Sequence, residues 1–377
     1  MMNNPLKRLR SLGQSIWLDY IRRDLIEGGA LGKMIEDDGL RGMTSNPAIF
    51  EKAIAASHEY DAEIQAMARA GKTPITIYDE LSLGDVANAA AKFRPLYDQT
   101  EGGDGFVSLE VSPHLAHDAE ETVNEARRLW KALDKPNVLI KVPATDAGLV
   151  AIRQLIGEGI SVNVTLIFGL SRYRQVVEAY LSGLEDRVAK GKSLQRVASV
   201  ASFFVSRIDT LVDPQLDKLA AAGGAMADLA KSLRGEVAIA CAKSAYQIQK
   251  TTFTAERFGK LAAKGAEVQR LLWASTGTKD STFSDVKYVE ALIGPQTVDT
   301  APLETIDAYR NHGNPMQRLE ENVQAAQTAM ARLPEVGIDM DRVESQLENE
   351  GVEKFKVPFD KLLAAIIDKA KPATPRS

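Results

Sequence analysis

Eight times along this chain of 377 residues a short apolar run of strand length gives way to a longer pattern of helical period. The runs are SIWLDY (15–20), GMTSNP (42–47), GFVSLEV (105–111), NVLIKVP (137–143), ISVNVTLIF (160–168), VASVASFFV (197–205), RLLWAST (270–276) and PQTVDT (295–300). Amphipathic helices are expected between them, among them 116–133, 147–159 and 171–190, where apolar residues recur every three or four positions. Strands joined by helices are parallel and buried on both faces, which is why these runs are rich in Val, Ile, Leu and Phe. Eight units of this kind predict an α/β fold, a (β/α)8 TIM barrel; the rival arrangement is an open doubly wound sheet.

Three regions exceed a minimal barrel. An extra N-terminal helix is expected before the first strand. The Ala- and Lys-rich stretch from Asp213 to Gly265 reads as a helical insertion, and after His312 the chain continues into LEENVQAAQTAMARL and VPFDKLLAAIIDKA, two helices expected to pack on the body, with ATPRS fraying at the end. Neither an internal repeat nor a low-complexity linker interrupts the pattern, so residues 1–377 are read as one domain.

A net charge of -5 argues against nucleic-acid and anionic-membrane surfaces, both of which need clustered Lys and Arg, and leaves small molecules as the default partners. The single cysteine, Cys241, lies in a helical pattern and excludes an internal disulfide, as expected in a reducing compartment. With no apolar run long enough for a secretory signal or a membrane span, the expected location is the cytoplasm. A monomer and a homodimer are both compatible with the sequence.

Within the strands, side chains of one parity face the barrel axis, and several of them are polar. In NVLIKVP, Lys141 alternates with Ile140 and Val142. In ISVNVTLIF, Asn163 and Thr165 share the face opposite Val162, Val164 and Leu166. In GFVSLEV, Ser108 and Glu110 alternate with Val107, Leu109 and Val111; Asp19 ends SIWLDY; Ser202 and Phe204 share a face, with Arg207 just beyond. Any one of these has a dull explanation, such as a strand-end lysine reaching water or a threonine bonded to backbone. Together, at inward positions near the C-terminal strand ends, they are too many polar groups for a core and read as an active site. An inward lysine suggests covalent chemistry, because a desolvated amine can attack a carbonyl and form an imine, whose positive charge draws electrons from a neighbouring carbon–carbon bond. Nearby carboxylates suit the proton transfers.

These residues resemble the transaldolase family of Schiff-base aldolases. MTSNPAIFEKAI is similar to its Thr-x-Asn-Pro segment, VLIKVPAT to its Schiff-base lysine strand, SVNVTLIF to its Asn-x-Thr strand and SFFVSRID to its Ser-x-Phe-x-x-Arg segment, in that order, from about Ile16 to Arg310. The resemblance implies a cofactor-independent enzyme acting on sugar phosphates, without a metal. In it Lys141 forms the imine, Asp19 takes the proton when the carbon–carbon bond breaks, and Glu110 and Thr165 move protons through a water. Thr44, Asn46, Asn163 and Ser202 would hold the hydroxyls of a dihydroxyacetone unit, and Arg207 the phosphate. The related fructose-6-phosphate aldolases carry a tyrosine where Phe204 lies and a glutamine where Glu110 lies, so the resemblance favours transfer over simple cleavage. The shorter branch of the family has a second phosphate arginine after an Ala-Ser pair; here ASTGTKD places Lys279 in that role, with Ser275 beside it. The insertion and long tail are similar to the longer branch.

Other motifs carry less. Gly71-Lys72-Thr73 and Gly191-Lys192-Ser193 lack the glycine of a phosphate loop, having Ala66 and Asp186 at that place. His114 and His117 are three apart, yet no third metal ligand is evident and Pro113 marks a helix start. Gly102, Gly103 and Gly105 form a turn before a strand, since no helix follows them directly. The readings that compete with a transaldolase are a simple class I aldolase and an inactive sugar-phosphate-binding barrel.

Overall fold

The computed structural model describes residues 4–371, so the ATPRS tail falls outside the described residues. The eight expected strands all form: β1 Gln14–Asp19, β2 Gly42–Thr44, β3 Phe106–Glu110, β4 Val138–Pro143, β5 Val162–Ile167, β6 Ser199–Phe204, β7 Arg270–Ala274 and β8 Thr297–Ala301. They pair in parallel in sequence order, and β8 closes on β1, which gives the closed barrel and excludes the open sheet. β2 is shorter than the apolar run suggests because Asn46 leaves the sheet to cap the Pro47–Ala55 helix, its side-chain oxygen accepting from the Ile49 amide.

The local chemistry of the VPATDAG turn fixes the next helix. Thr145, not Asp146, is its N-cap, accepting from the Gly148 amide at 3.0 Å, and Asp146 instead places its charge in the first turn. A Cβ at Gly148 would collide with the Pro143 carbonyl oxygen, so the strand-to-helix turn is this tight only because that residue is glycine.

The lower half of the barrel is filled and closed. Trp17 lies on the same face as Asp19, two residues below it, and Gly42 on β2 leaves room for the indole, 2.5 Å from where a Cβ would stand. Beneath it Asp104 accepts from the Trp17 indole, Ser15, Arg41 and Arg270, so each buried charge has a partner. Above this floor a cavity lies at the C-terminal ends of the strands.

The extra N-terminal helix is Pro5–Ser11, with Asn4 as its cap. The insertion is helical as expected, but begins earlier, in a helix running Ser206–Ala222, followed by Ala227–Leu233, Val237–Thr254 and Glu256–Ala262. Cys241 is buried in the third of these, where loss of solvation pushes its thiol up. The tail differs more from expectation. After Val323–Arg332 the last helix runs Met340–Ala370, starting well before VPFD, with Pro358 inside it. Asp339 is its N-cap, and its course takes it across the open end of the barrel, packed on the Pro47–Ala55, Asp61–Arg69 and Pro74–Gln99 helices, the Ser206–Ala222 helix and β5. No helix of the described residues is long and apolar enough to cross a membrane.

Candidate active site

Strand register builds the site. Glu110 on β3 stands level with Lys141 on β4, Lys141 level with Asn163 on β5, and Asp19 on β1 level with Thr44 on β2, so the polar layer near the barrel mouth draws its five side chains from two register levels. Above that layer opens a cavity of about 430 Å³, walled by Lys141, Asp19, Thr44, Asn46, Thr165 and Ser202 in its depth and by Phe204, Arg207, Ser275 and Lys279 toward the rim. Its size suits a small ligand. Glu110 and Asn163 do not line it; they stand behind residues that do.

Lys141 is only 4% exposed. Its ammonium donates to the Ser45 carbonyl at 3.2 Å and lies 3.4 Å from Glu110 Oε2, an ion-pair distance without hydrogen-bond alignment. Burial raises the Glu110 carboxyl to about 7, against the pull of the Lys141 charge. A carboxyl poised there passes a proton in either direction at neutral pH. Burial also raises the Asp19 carboxyl, against the nearby Lys141 charge and a hydrogen bond from Thr44. Thr44 donates to Asp19 Oδ1 at 2.7 Å, and with its single proton so used it accepts from Thr300, also at 2.7 Å. This chain fixes the orientation of Asp19.

The β5 wall departs from simple alternation. The β5–β6 register shifts between Val164 and Ile167, and Leu166 has φ 62°, a left-handed conformation costly for a leucine. Thr165 therefore faces the cavity at a bulge, and Leu166, expected on the helix face with Val162 and Val164, turns up against the last helix at Gly351. Asn163 is fixed from both ends: it donates to Ser108 at 3.0 Å and accepts from Ser202 at 2.6 Å, so it orients Ser202. Asn46 spends its oxygen on the helix cap, leaving its amide N–H groups for a ligand.

At the rim, the Phe204 ring lies 5.1 Å from the Arg207 guanidinium, inside cation–π range, and packs at a tilt of 48° against Phe168. Arg207 Nη1 is buried with no hydrogen-bond partner among the described residues, as are Thr165 Oγ1 and Glu110 Oε2. Buried donors and acceptors left over by the fold are those a ligand can satisfy. Ser275, at φ 56°, pairs with Ser206 at 3.0 Å and so joins the end of β7 to the start of the Arg207 helix. Lys279 is solvent-exposed at the rim.

Several cavity residues carried no inward-strand signal: Tyr20, Lys52, Glu304, Lys354 and Phe355 stand on loops or helices, and Thr300 was passed over at the end of PQTVDT. Helical position relative to a barrel mouth cannot be read from period-two alternation, and Thr300 was hidden because it shares the inward parity of β8 with Val298, while the more polar parity, Thr297 and Asp299, faces away from the axis. Of the two histidines weighed as ligands, His114 pairs with Asp360 at 2.8 Å. Among the described residues no group of three or more His, Cys, Asp or Glu is arranged to hold a metal ion. Thr73 caps the Pro74–Gln99 helix and Gly191 follows the Leu170–Ala189 helix, so both Gly-Lys motifs are helix boundaries.

The chain matches the family Transaldolase/Fructose-6-phosphate aldolase over residues 16–366. It is 47% identical over 382 residues to Transaldolase 2 of Nostoc punctiforme and 46% identical over 380 residues to Transaldolase of Trichodesmium erythraeum, in both cases over 100% of each chain. It is also 45% identical to Transaldolase of Thiobacillus denitrificans, over 96% of this chain and 99% of that one. A closed eight-stranded barrel, a buried lysine at its mouth and likeness along the whole chain agree: this chain belongs to the transaldolase/fructose-6-phosphate aldolase family.

Proposed function

We propose that the enzyme is a transaldolase working through an imine on Lys141, moving a dihydroxyacetone unit from sedoheptulose 7-phosphate or fructose 6-phosphate to glyceraldehyde 3-phosphate or erythrose 4-phosphate. The observation that carries the reading is the buried Lys141 amine at the cavity wall, 3.4 Å from a carboxyl raised to about 7. Lys141 gives a proton to Glu110, attacks the ketose carbonyl carbon, and the carbinolamine loses its hydroxyl as water with a proton returned from Glu110 through a water that Thr165 helps to hold. The protonated imine draws the electron pair of the bond one carbon further along, while Asp19 takes the proton of the departing hydroxyl. An aldehyde phosphate leaves and an enamine of dihydroxyacetone stays on Lys141. The enamine carbon then attacks the acceptor aldehyde, Asp19 returns the proton, and hydrolysis frees the new ketose. Thr44, Asn46 and Ser202 hold the hydroxyls, with Asn163 behind Ser202. Arg207, Ser275 and Lys279 take the phosphate, a role for which a planar guanidinium with a free donor is suited. The barrel with its helical additions acts as one unit.

The test is release of glyceraldehyde 3-phosphate from fructose 6-phosphate with and without erythrose 4-phosphate. Release that depends on the acceptor is the expected result; equal release without it would mean a simple aldolase. Lys141→Ala is expected to abolish turnover and the borohydride-trapped adduct while keeping the fold, and appreciable turnover by that variant would refute the imine.

A further inference from the structure

The Met340–Ala370 helix does more than cover the barrel. Gly351, in its middle, sits on Leu166 and Phe168; a Cβ there would stand 3.0 Å from the leucine side chain. Glycine inside a helix costs about 1 kcal/mol relative to alanine, and here it lets the helix descend onto the barrel rim. One turn further, Phe355 is 5% exposed, and its ring centroid lies 5.3 Å from Lys141 Nζ. The helix is pinned on both sides of this point. Toward its start, Glu344 accepts from the Arg172 amide at 2.8 Å and Glu348 from the Arg172 side chain at 3.0 Å; toward its end, Lys369 donates to Asp61 and to the Ser57 carbonyl. A ring that only filled the core could stand anywhere apolar. This one is set over the single nitrogen on which the proposed reaction turns.

We infer that Phe355 is a positioning residue for the reacting amine: its ring wall keeps water off Lys141 and its electron-rich face stabilises the positive charge that the same nitrogen carries in the protonated imine. The inference rests on the imine chemistry above and adds a group that the strand motifs do not contain. Attraction between an aromatic face and a cation, when both are shielded from water, is of a size to favour the protonated imine over the neutral carbinolamine that precedes it about threefold to tenfold.

The decisive variant replaces Phe355 with a trifluorinated phenylalanine, which keeps the shape of the ring and withdraws electrons from its face; Phe355→Leu, which keeps apolar bulk without a ring, is its companion. The readouts are the fraction of enzyme trapped by borohydride on Lys141 in the presence of fructose 6-phosphate, kcat, KM for that donor, and the thermal midpoint. For the trifluorinated enzyme a fall in trapping and kcat of about threefold to tenfold is expected, with KM within about twofold of wild type and an unchanged thermal midpoint. Wild-type trapping and kcat in the trifluorinated enzyme would overturn the inference, even if Phe355→Leu were impaired through misfolding, and would leave the imine reading intact. A wild-type enzyme that neither turns over nor traps at Lys141 would refute the imine reading itself, and this inference with it.

Discussion

Glu110 is where the chemistry is most exposed to pH. Its carboxyl, raised to about 7 by burial, lies 3.4 Å from the Lys141 amine, so under the proposed mechanism kcat/KM is expected to carry a limb near 7 from Glu110. Glu110→Gln should remove that limb and slow imine formation by roughly a hundredfold, read from single-turnover trapping across pH. An unchanged profile would take Glu110 out of the proton path. Inward parity made most of these residues legible beforehand: Lys141, Asp19, Thr165 and Ser202 all reach the cavity, and Thr44, which the family resemblance supplied, reaches it too. Parity could not tell a residue that lines a cavity from one that stands behind it, which is the case of Asn163, whose polar ends are both taken by Ser108 and Ser202. It also could not see the bulge that turns Leu166 upward, because a left-handed leucine is a strained choice that no local preference announces.

Among the elements, the strands were legible in place and order, and except for β2 to within two residues at each end, because a strand buried on both faces must be written in β-branched and aliphatic side chains. The last helix was not. Pro358 reads as a helix start, since proline removes the hydrogen bond its amide would give to the Lys354 carbonyl, yet packing against four other helices and β5 carries the helix through it. How firmly that helix is fastened is also measurable. Burial raises Glu344 to about 7, more than its bond from the Arg172 amide and the Arg172 charge lower it. Since its folded value lies above the ordinary value of 4.5, the fold prefers the neutral acid; its contribution is most favourable below that value, is lost as pH rises through about 7, and changes no further above. Glu344→Gln keeps the carbonyl acceptor and removes the charge. Its stability relative to wild type is expected to be higher by about 1 kcal/mol at alkaline pH than in mild acid, measured by urea unfolding. A difference that does not vary with pH would mean that Glu344 stays charged in the fold.

For the molecule as a whole, a net charge of -5 coexists with a cavity mouth that carries Arg207, Lys52, Lys279 and Lys354. Doubly charged sugar phosphates are drawn to that mouth against the overall field, so KM for the donor is expected to rise at least threefold, with kcat steady, as added salt shortens the screening length from about 10 Å to about 3 Å. A salt-independent KM would place the phosphate elsewhere. The helix over the mouth also gives the molecule a history. Phe355 is encoded more than two hundred residues after Lys141. On a ribosome adding about 5–20 residues per second, all eight strands emerge seconds before that helix exists. During that interval a nascent barrel that has already closed shows Leu166, Phe168 and an uncovered amine to its surroundings, so the order of translation makes this mouth both the last surface to be sealed and the first to meet a chaperone or a stray aldehyde.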